Sequence, residues 1–136
     1  SRLGLKSINV LSADASNLLS IKPFWKSYFK RILLDAPCSG LGTLSRHPDA
    51  RWRISQDQIK ELVELQLALI EGLLPLLEPG GRFVYATCTI HPDENINQVS
   101  NLLNRNHYLT LLEQKQLWPN YDELGDGFYA ASLQFK

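Results

Sequence analysis

Arg31-Ile32-Leu33-Leu34-Asp35-Ala36-Pro37-Cys38-Ser39-Gly40 joins a short apolar run to a loop of Pro, Ser and Gly. An unbroken apolar run closed by turn residues predicts a strand buried on both faces of a parallel sheet. Asp35 then stands at its carboxyl end and Cys38 in the loop beyond. A second stretch is built alike: Arg82-Phe83-Val84-Tyr85-Ala86 reads as a strand and delivers Thr87-Cys88-Thr89. Each thiol follows the end of an expected strand, and neighbouring strand ends can bring both into one cleft.

Outward from these strands, Ser7-Ile8-Asn9-Val10-Leu11 is rich in β-formers and runs into Ser12-Ala13-Asp14-Ala15. This predicts another strand, with Asp14 at its carboxyl end or capping a helix. Residues 16–29 mix Asn, Ser, Lys and Pro with Phe24, Trp25, Tyr28 and Phe29 without a clean period, as in a packed connector. Ser55 and Gln58 have capping-box spacing, and Ile59, Leu62, Val63, Ile70, Leu73, Leu74 and Leu77 recur behind them at helical intervals. Pro75 should kink or shorten that helix, and Pro79-Gly80-Gly81 should end it before the next strand. Pro92 suits the first position of a further helix, with Asp93 and Glu94 complementing its dipole and Ile96, Val99, Leu102 and Leu103 as its apolar stripe. Closing strands are expected near residues 109–112 and 127–133. The whole is an α/β pattern with a mostly parallel sheet. In such sheets ligands bind beyond the carboxyl ends of the strands, where Asp14, Asp35, Cys38 and Cys88 all fall.

A chain of 136 residues, 44% hydrophobic, suffices for one modest core, so one domain or part of one is expected. Lys plus Arg and Asp plus Glu number 14 each, so no global field draws the chain toward phosphate, and any RNA affinity has to be local. No apolar stretch reaches the roughly 20 residues that cross a bilayer, and nothing resembles a signal peptide. A cytoplasmic location and no membrane partner follow as expectations. Cys38 and Cys88 are the only cysteines, and a reducing compartment argues against a structural disulfide. Together with His47, His91 and His107 they show no paired spacing of the zinc type, so no metal is expected. No methionine occurs anywhere, so the chain is expected to be a fragment.

Two thiols in one crevice suit chemistry on cytosine. Its C5 carbon is too weak a nucleophile to take a methyl group until a thiolate adds to C6 and turns the ring into an enamine. The C5 proton then has to leave and the sulfur has to be expelled, which a second positioned group can assist. Cys88, just ahead of the Pro92 helix, is placed to feel a helix amino terminus, one of the settings that favour thiolate. The plainer reading of each cysteine is a small buried residue, Cys88 at a strand terminus and Cys38 inside a tight loop. Asp35 can cap a turn or hold a cofactor's polar group, and Asp14 can serve merely as a helix cap. Arg46-His47-Pro48-Asp49-Ala50-Arg51-Trp52-Arg53 combines cations with an aromatic ring, which suits phosphate contact and base stacking, or else a solvated basic loop.

Asp35-Ala36-Pro37-Cys38-Ser39-Gly40-Leu41-Gly42, Arg46-His47-Pro48-Asp49, Tyr85-Ala86-Thr87-Cys88-Thr89 and Asp126-Gly127-Phe128-Tyr129, in this order, resemble the Sun/Nop family of RNA cytosine-5 methyltransferases, in particular its bacterial Sun-type branch acting on small-subunit (16S) ribosomal RNA. The resemblance covers essentially the whole chain. It implies a Rossmann-like, S-adenosylmethionine-dependent methyltransferase sheet and RNA, ribosomal in kind, as partner. It also implies that Cys88 is the nucleophile, that Cys38 assists release of the methylated product, and that Asp35 meets both cofactor and target base. Asp14 and Pro37 join Asp35 on the cofactor side. DNA cytosine methyltransferases use a Pro-Cys thiol as nucleophile, so the Thr-Cys-Thr motif favours the RNA family.

The family's Gly-rich cofactor loop, Asp-x-Cys-Ala-Ala-Pro-Gly-Gly-Lys-Thr, does not occur in the chain. Residues 1–136 are therefore expected to be the C-terminal portion of a single methyltransferase catalytic domain, with the first strands of its sheet missing. Such a fragment should transfer no methyl groups alone. A cysteine phosphatase is a rival for Cys38 and its Gly-bearing loop, but the residue six after Cys38 is Leu44 and not the arginine of a Cys-x5-Arg pattern. An RNA-binding scaffold that has lost its chemistry is the other rival, against which both thiols and Asp35 are retained.

Overall fold

Ser55 opens the longest helix as its spacing predicts. Its hydroxyl accepts from the Gln58 N–H at 3.2 Å while its own N–H donates to the Gln58 side chain at 2.9 Å, satisfying two of the free donors at a helix start. The computed structural model describes residues 7–49, 52, 54–120 and 125–136. Its elements run α1 (Leu18–Ile21), β1 (Phe29–Asp35), α2 (Gln56–Leu73), β2 (Leu77–Thr87), α3 (Ile96–Arg105), β3 (Leu109–Leu117) and β4 (Phe128–Phe135).

Pro75 lacks the N–H that would continue α2, and the chain tightens there into a 3₁₀ turn over Leu74–Leu76. β2 starts immediately afterwards, so Pro79-Gly80-Gly81 does not end the helix but lies within the strand. The register steps from Phe29 opposite Leu77 to Arg31 opposite Arg82, and Gly80 takes φ +79°, left-handed backbone that glycine adopts without strain.

The strands form one sheet in the order β1-β2-β4-β3. β1 and β2 are parallel, whereas β4 is antiparallel to both β2 and β3. Three strands, β1, β2 and β3, thus point the same way and β4 alone is reversed: it returns directly after β3 without the crossover that a parallel neighbour needs. The strand expected over residues 7–11 is absent. Those residues pair with nothing among the described residues, and Val10 is 91% exposed. A lone extended segment has no ladder partner for its backbone groups. β1 is consequently an edge strand and not one buried on both faces: Leu34 is buried, but Leu33 stands 69% exposed.

Strand pairing puts Ile32, Leu34, Phe83, Tyr85, Tyr129, Ala131 and Leu133 on one face. The core continues from that face into Ile70 and Leu73 of α2 and Val99 and Leu102 of α3. Both helices therefore cover the same side, and the packed layer fixes β1 and β2 side by side with their carboxyl ends level.

Candidate active site

Level strand ends bring the two thiols together. Past Asp35 the Ala36 N–H still donates to the Ala86 carbonyl at 2.9 Å, so the loop carrying Cys38 leaves β1 beside the loop carrying Cys88. The sulfurs of Cys38 and Cys88 lie 3.4 Å apart, both half-buried and both free thiols. Gly40, at φ +69°, turns the first loop, and its carbonyl accepts from the N–H and the hydroxyl of Thr43, each at 2.9 Å. The Gly42 N–H then donates to the Cys88 carbonyl at 3.0 Å, and the Gly127 N–H donates to the Gly42 carbonyl at 2.7 Å. Three loops are stitched through their backbones around the thiol pair.

Beneath the thiols lies a buried polar network that sequence reading missed. Ser39 donates to the fully buried Glu94 through its N–H, 2.8 Å from Oε1, and through its hydroxyl to Oε2, and it meets the Thr89 hydroxyl at 2.8 Å. Gln66, from α2, donates to Glu94 Oε1 at 3.0 Å and to the Pro37 carbonyl at 2.9 Å. Asn95 accepts from the Thr87 hydroxyl at 2.6 Å and donates to the Thr89 carbonyl at 2.9 Å. Both peptides flanking Cys38 are held from below, and the residues before and after Cys88 are tied to Asn95. Only the oddity of polar residues inside apolar helical patterns could have signalled these groups beforehand.

The expected helix at Pro92 is interrupted. Pro92–Glu94 is a 3₁₀ turn, the backbone breaks at Asn95, and α3 begins only at Ile96. The break lets Glu94 turn inward as a hydrogen-bond acceptor, so it is not a dipole-complementing surface acid. It also deprives Cys88 of the continuous helix start read from the sequence. Burial, first of all, pushes the Cys38 thiol up to about 12, so Cys38 is a proton-bearing group at neutral pH. Burial also raises Tyr129 to about 12.

Asp35 and Pro37 are exposed at the mouth of the same strand end. Asp14 does not stand at a strand end. It is the N-cap of the 3₁₀ turn Ala15–Asn17, and hydrogen bonds from the Ser16 hydroxyl and N–H hold its carboxyl below the usual range. Its carboxyl hydrogen bonds go to Ser16 and not to either thiol. Arg46 forms a two-pronged ion pair with Asp126, which joins the Arg-His-Pro-Asp and Asp-Gly-Phe-Tyr motifs. Ala50, Arg51 and Arg53 of the expected basic loop lie outside the described residues. Among the described residues no group of His, Cys, Asp and Glu could hold a metal ion, and no helix is long and apolar enough to cross a membrane.

The family model described as 16S rRNA methyltransferase RsmB/F matches residues 1–134. The chain belongs to this family. Curated relatives agree with the RsmB/F assignment: the ribosomal RNA small subunit methyltransferase B of Yersinia enterocolitica serotype O:8 / biotype 1B is 45% identical over 112 residues, 77% of this chain and 26% of the relative. That of Shewanella oneidensis is 41% identical over 143 residues, 97% of this chain and 32% of the relative. The chain thus spans a quarter to a third of the length of these RsmB/F relatives. Among solved structures, PH0851 superposes with a TM-score of 0.88 at 33% identity over 97% of this chain and 32% of its own. NSun6 from Pyrococcus horikoshii, solved with SFG, superposes at 0.82 with 27% identity over 98% of this chain and 36% of its own. The four-stranded sheet with its helices is accordingly part of a Rossmann-like methyltransferase fold.

Proposed function

We propose that residues 1–136 form the C-terminal portion of the catalytic domain of an S-adenosylmethionine-dependent cytosine-5 methyltransferase acting on ribosomal RNA. The observation that carries this reading is the 3.4 Å approach of the Cys38 and Cys88 sulfurs at adjoining strand ends.

Cys88, as thiolate, adds to C6 of the cytosine, and the resulting enamine makes C5 nucleophilic. S-adenosylmethionine, when bound, supplies the electrophilic methyl group. On release the C5–H electrons form the C5–C6 double bond, the C6–S bond breaks and the C5 proton passes to water, while the Cys38 thiol, 3.4 Å from the Cys88 sulfur, assists the departing thiolate by hydrogen bonding to it. Asp35, exposed at the end of β1 beside this pair, is placed to meet cofactor and base together. Pro37 adjoins it, and Asp14 would hold the cofactor on its adenine side. The residues present fit one side of such a cofactor: the exposed Asp35 carboxylate stands at the carboxyl end of β1, and no Gly-rich loop occurs in the chain.

The test uses these 136 residues fused behind a family segment that supplies the Gly-rich loop. RNA containing 5-fluorocytosine cannot lose a C5 proton, so a productive enzyme stays bound to it covalently. A denaturation-resistant protein–RNA complex that requires cofactor and disappears in Cys88→Ala is expected. A fusion that binds RNA but never forms that complex is a scaffold, and the reading fails. Recovery of the transferred methyl anywhere but C5 of cytosine also overturns it.

A further inference from the structure

Glu94 is 0% exposed, and its described carboxylate partners, Ser39 and Gln66, are all neutral. A buried charge is costly unless its hydrogen bonds are complete. Here they come from the Ser39 N–H, the Ser39 hydroxyl and the Gln66 side-chain amide. Two of these donors converge on Oε1, and the Ser39 hydroxyl meets Oε2. The direction propagates: since Ser39 gives its proton to Glu94, the Thr89 hydroxyl must be the donor across the 2.8 Å Ser39–Thr89 contact.

The geometry around Cys38 gives this arrangement its consequence. Glu94 holds the N–H that follows Cys38, at 2.8 Å, and Gln66, bound to Glu94, holds the carbonyl that precedes it, at 2.9 Å. The same Ser39 hydroxyl is tied to Thr89, the residue after Cys88. Tyr85 secures the assembly from below, its hydroxyl 3.0 Å from Gln66 Oε1 and 2.7 Å from the Glu94 carbonyl. One carboxylate therefore links both peptide groups flanking the first thiol to the loop of the second.

We propose that Glu94 is a positioning residue that sets the separation of Cys38 from Cys88. The proposal rests on the reading of those thiols as the reacting pair. Glu94 meets neither substrate nor cofactor; it acts through Ser39 and Gln66. Glu94→Gln keeps the shape and an acceptor at Oε1 but loses the acceptor for the Ser39 hydroxyl, which has to turn its proton to Thr89, so the hold on the loop carrying Cys38 weakens and the loop can drift from Cys88.

The test measures the pair directly. The 136-residue chain is treated with diamide, which oxidises two adjacent thiols to a disulfide while its azo bond takes up their hydrogens, and the rate of Cys38–Cys88 closure is followed by loss of alkylatable thiol. Parent, Glu94→Gln, Ser39→Ala and Val99→Ala are compared below the melting temperature of each, with circular dichroism to verify the fold. Val99 is a buried α3 residue outside the network, so Val99→Ala loosens the core without touching it. Closure slowed by about tenfold or more in Glu94→Gln and in Ser39→Ala, with Val99→Ala near the parent rate, is the expected result, since small misplacements of reacting atoms cost large factors in rate. Parent-like closure in a folded Glu94→Gln overturns the proposal, and so does equal slowing in Val99→Ala. Should Glu94→Gln fail to fold, Ser39→Ala decides by the same criterion. Neither RNA nor cofactor takes part, so this outcome is read independently of the trapping experiment.

Discussion

Gly42 and Gly127 touch backbone to backbone. The Gly127 N–H donates to the Gly42 carbonyl at 2.7 Å, and a Cβ built on Gly42 would lie 2.1 Å from the Gly127 carbonyl oxygen and 2.8 Å from that of Cys88. All three groups are main chain and cannot swing aside. Gly42→Ala is expected to lower stability by about 1–3 kcal/mol, the range of overpacking in a filled interior, and to slow thiol closure by parting the loops. Urea denaturation of the variant checks this; stability within error of the parent would show that the loops are not locked together.

Alkaline pH should weaken the fold partly through Cys38. Burial lifts this thiol from its ordinary 9.0 to about 12, so the folded chain keeps a proton that the unfolded chain releases. The stabilisation is whole below 9.0 and is lost as pH rises toward about 12. Tyr129, raised from 10.0 to about 12, acts in the same direction at higher pH. Urea midpoints measured from neutral pH upward are expected to fall above pH 9, and Cys38→Ala should flatten the part of the fall between 9.0 and 10.0 that precedes tyrosine ionisation. An unchanged slope in the variant would exclude Cys38 as its source.

Which parts of the site were legible beforehand follows from how local their signals are. Asp35, Cys38 and Cys88 could be placed at neighbouring strand ends because an apolar run closed by Pro, Ser or Gly is a short-range pattern, and so is the Ser55–Gln58 cap. The antiparallel return of β4 was not legible, since nothing within residues 128–135 specifies which strand they join. Residues 7–11 have strand composition but pair with no strand among the described residues, and composition alone does not make a ladder. Glu94 was read as a surface acid because helical periodicity assumes an unbroken helix, and the break at Asn95 turned it inward instead. Its partners Ser39 and Gln66 lie 55 and 28 residues away, and no periodic pattern reports on such pairings.

Cofactor affinity of the 136-residue chain by itself should be weak. It carries Asp35, Asp14 and Pro37 but no Gly-rich loop, and the Asp14 carboxylate already accepts from Ser16 at 2.9 and 2.7 Å. Titration calorimetry with S-adenosylmethionine is expected to give no saturable heat at concentrations up to roughly a hundred micromolar, a free energy short of about −5.5 kcal/mol. Saturable binding near one micromolar would mean that the residues present suffice.

The division of labour between the thiols is tested most directly by Cys38→Ala in the active fusion, incubated with cofactor and RNA containing ordinary cytosine. Methyl transfer should proceed while expulsion of the Cys88 sulfur slows, so a covalent protein–RNA complex carrying methylated cytosine should accumulate where the parent shows almost none, and Cys88→Ala should show none at all. Accumulation in Cys88→Ala, with Cys38→Ala forming no complex, would reverse the two roles and contradict the assignment of Cys88 as nucleophile.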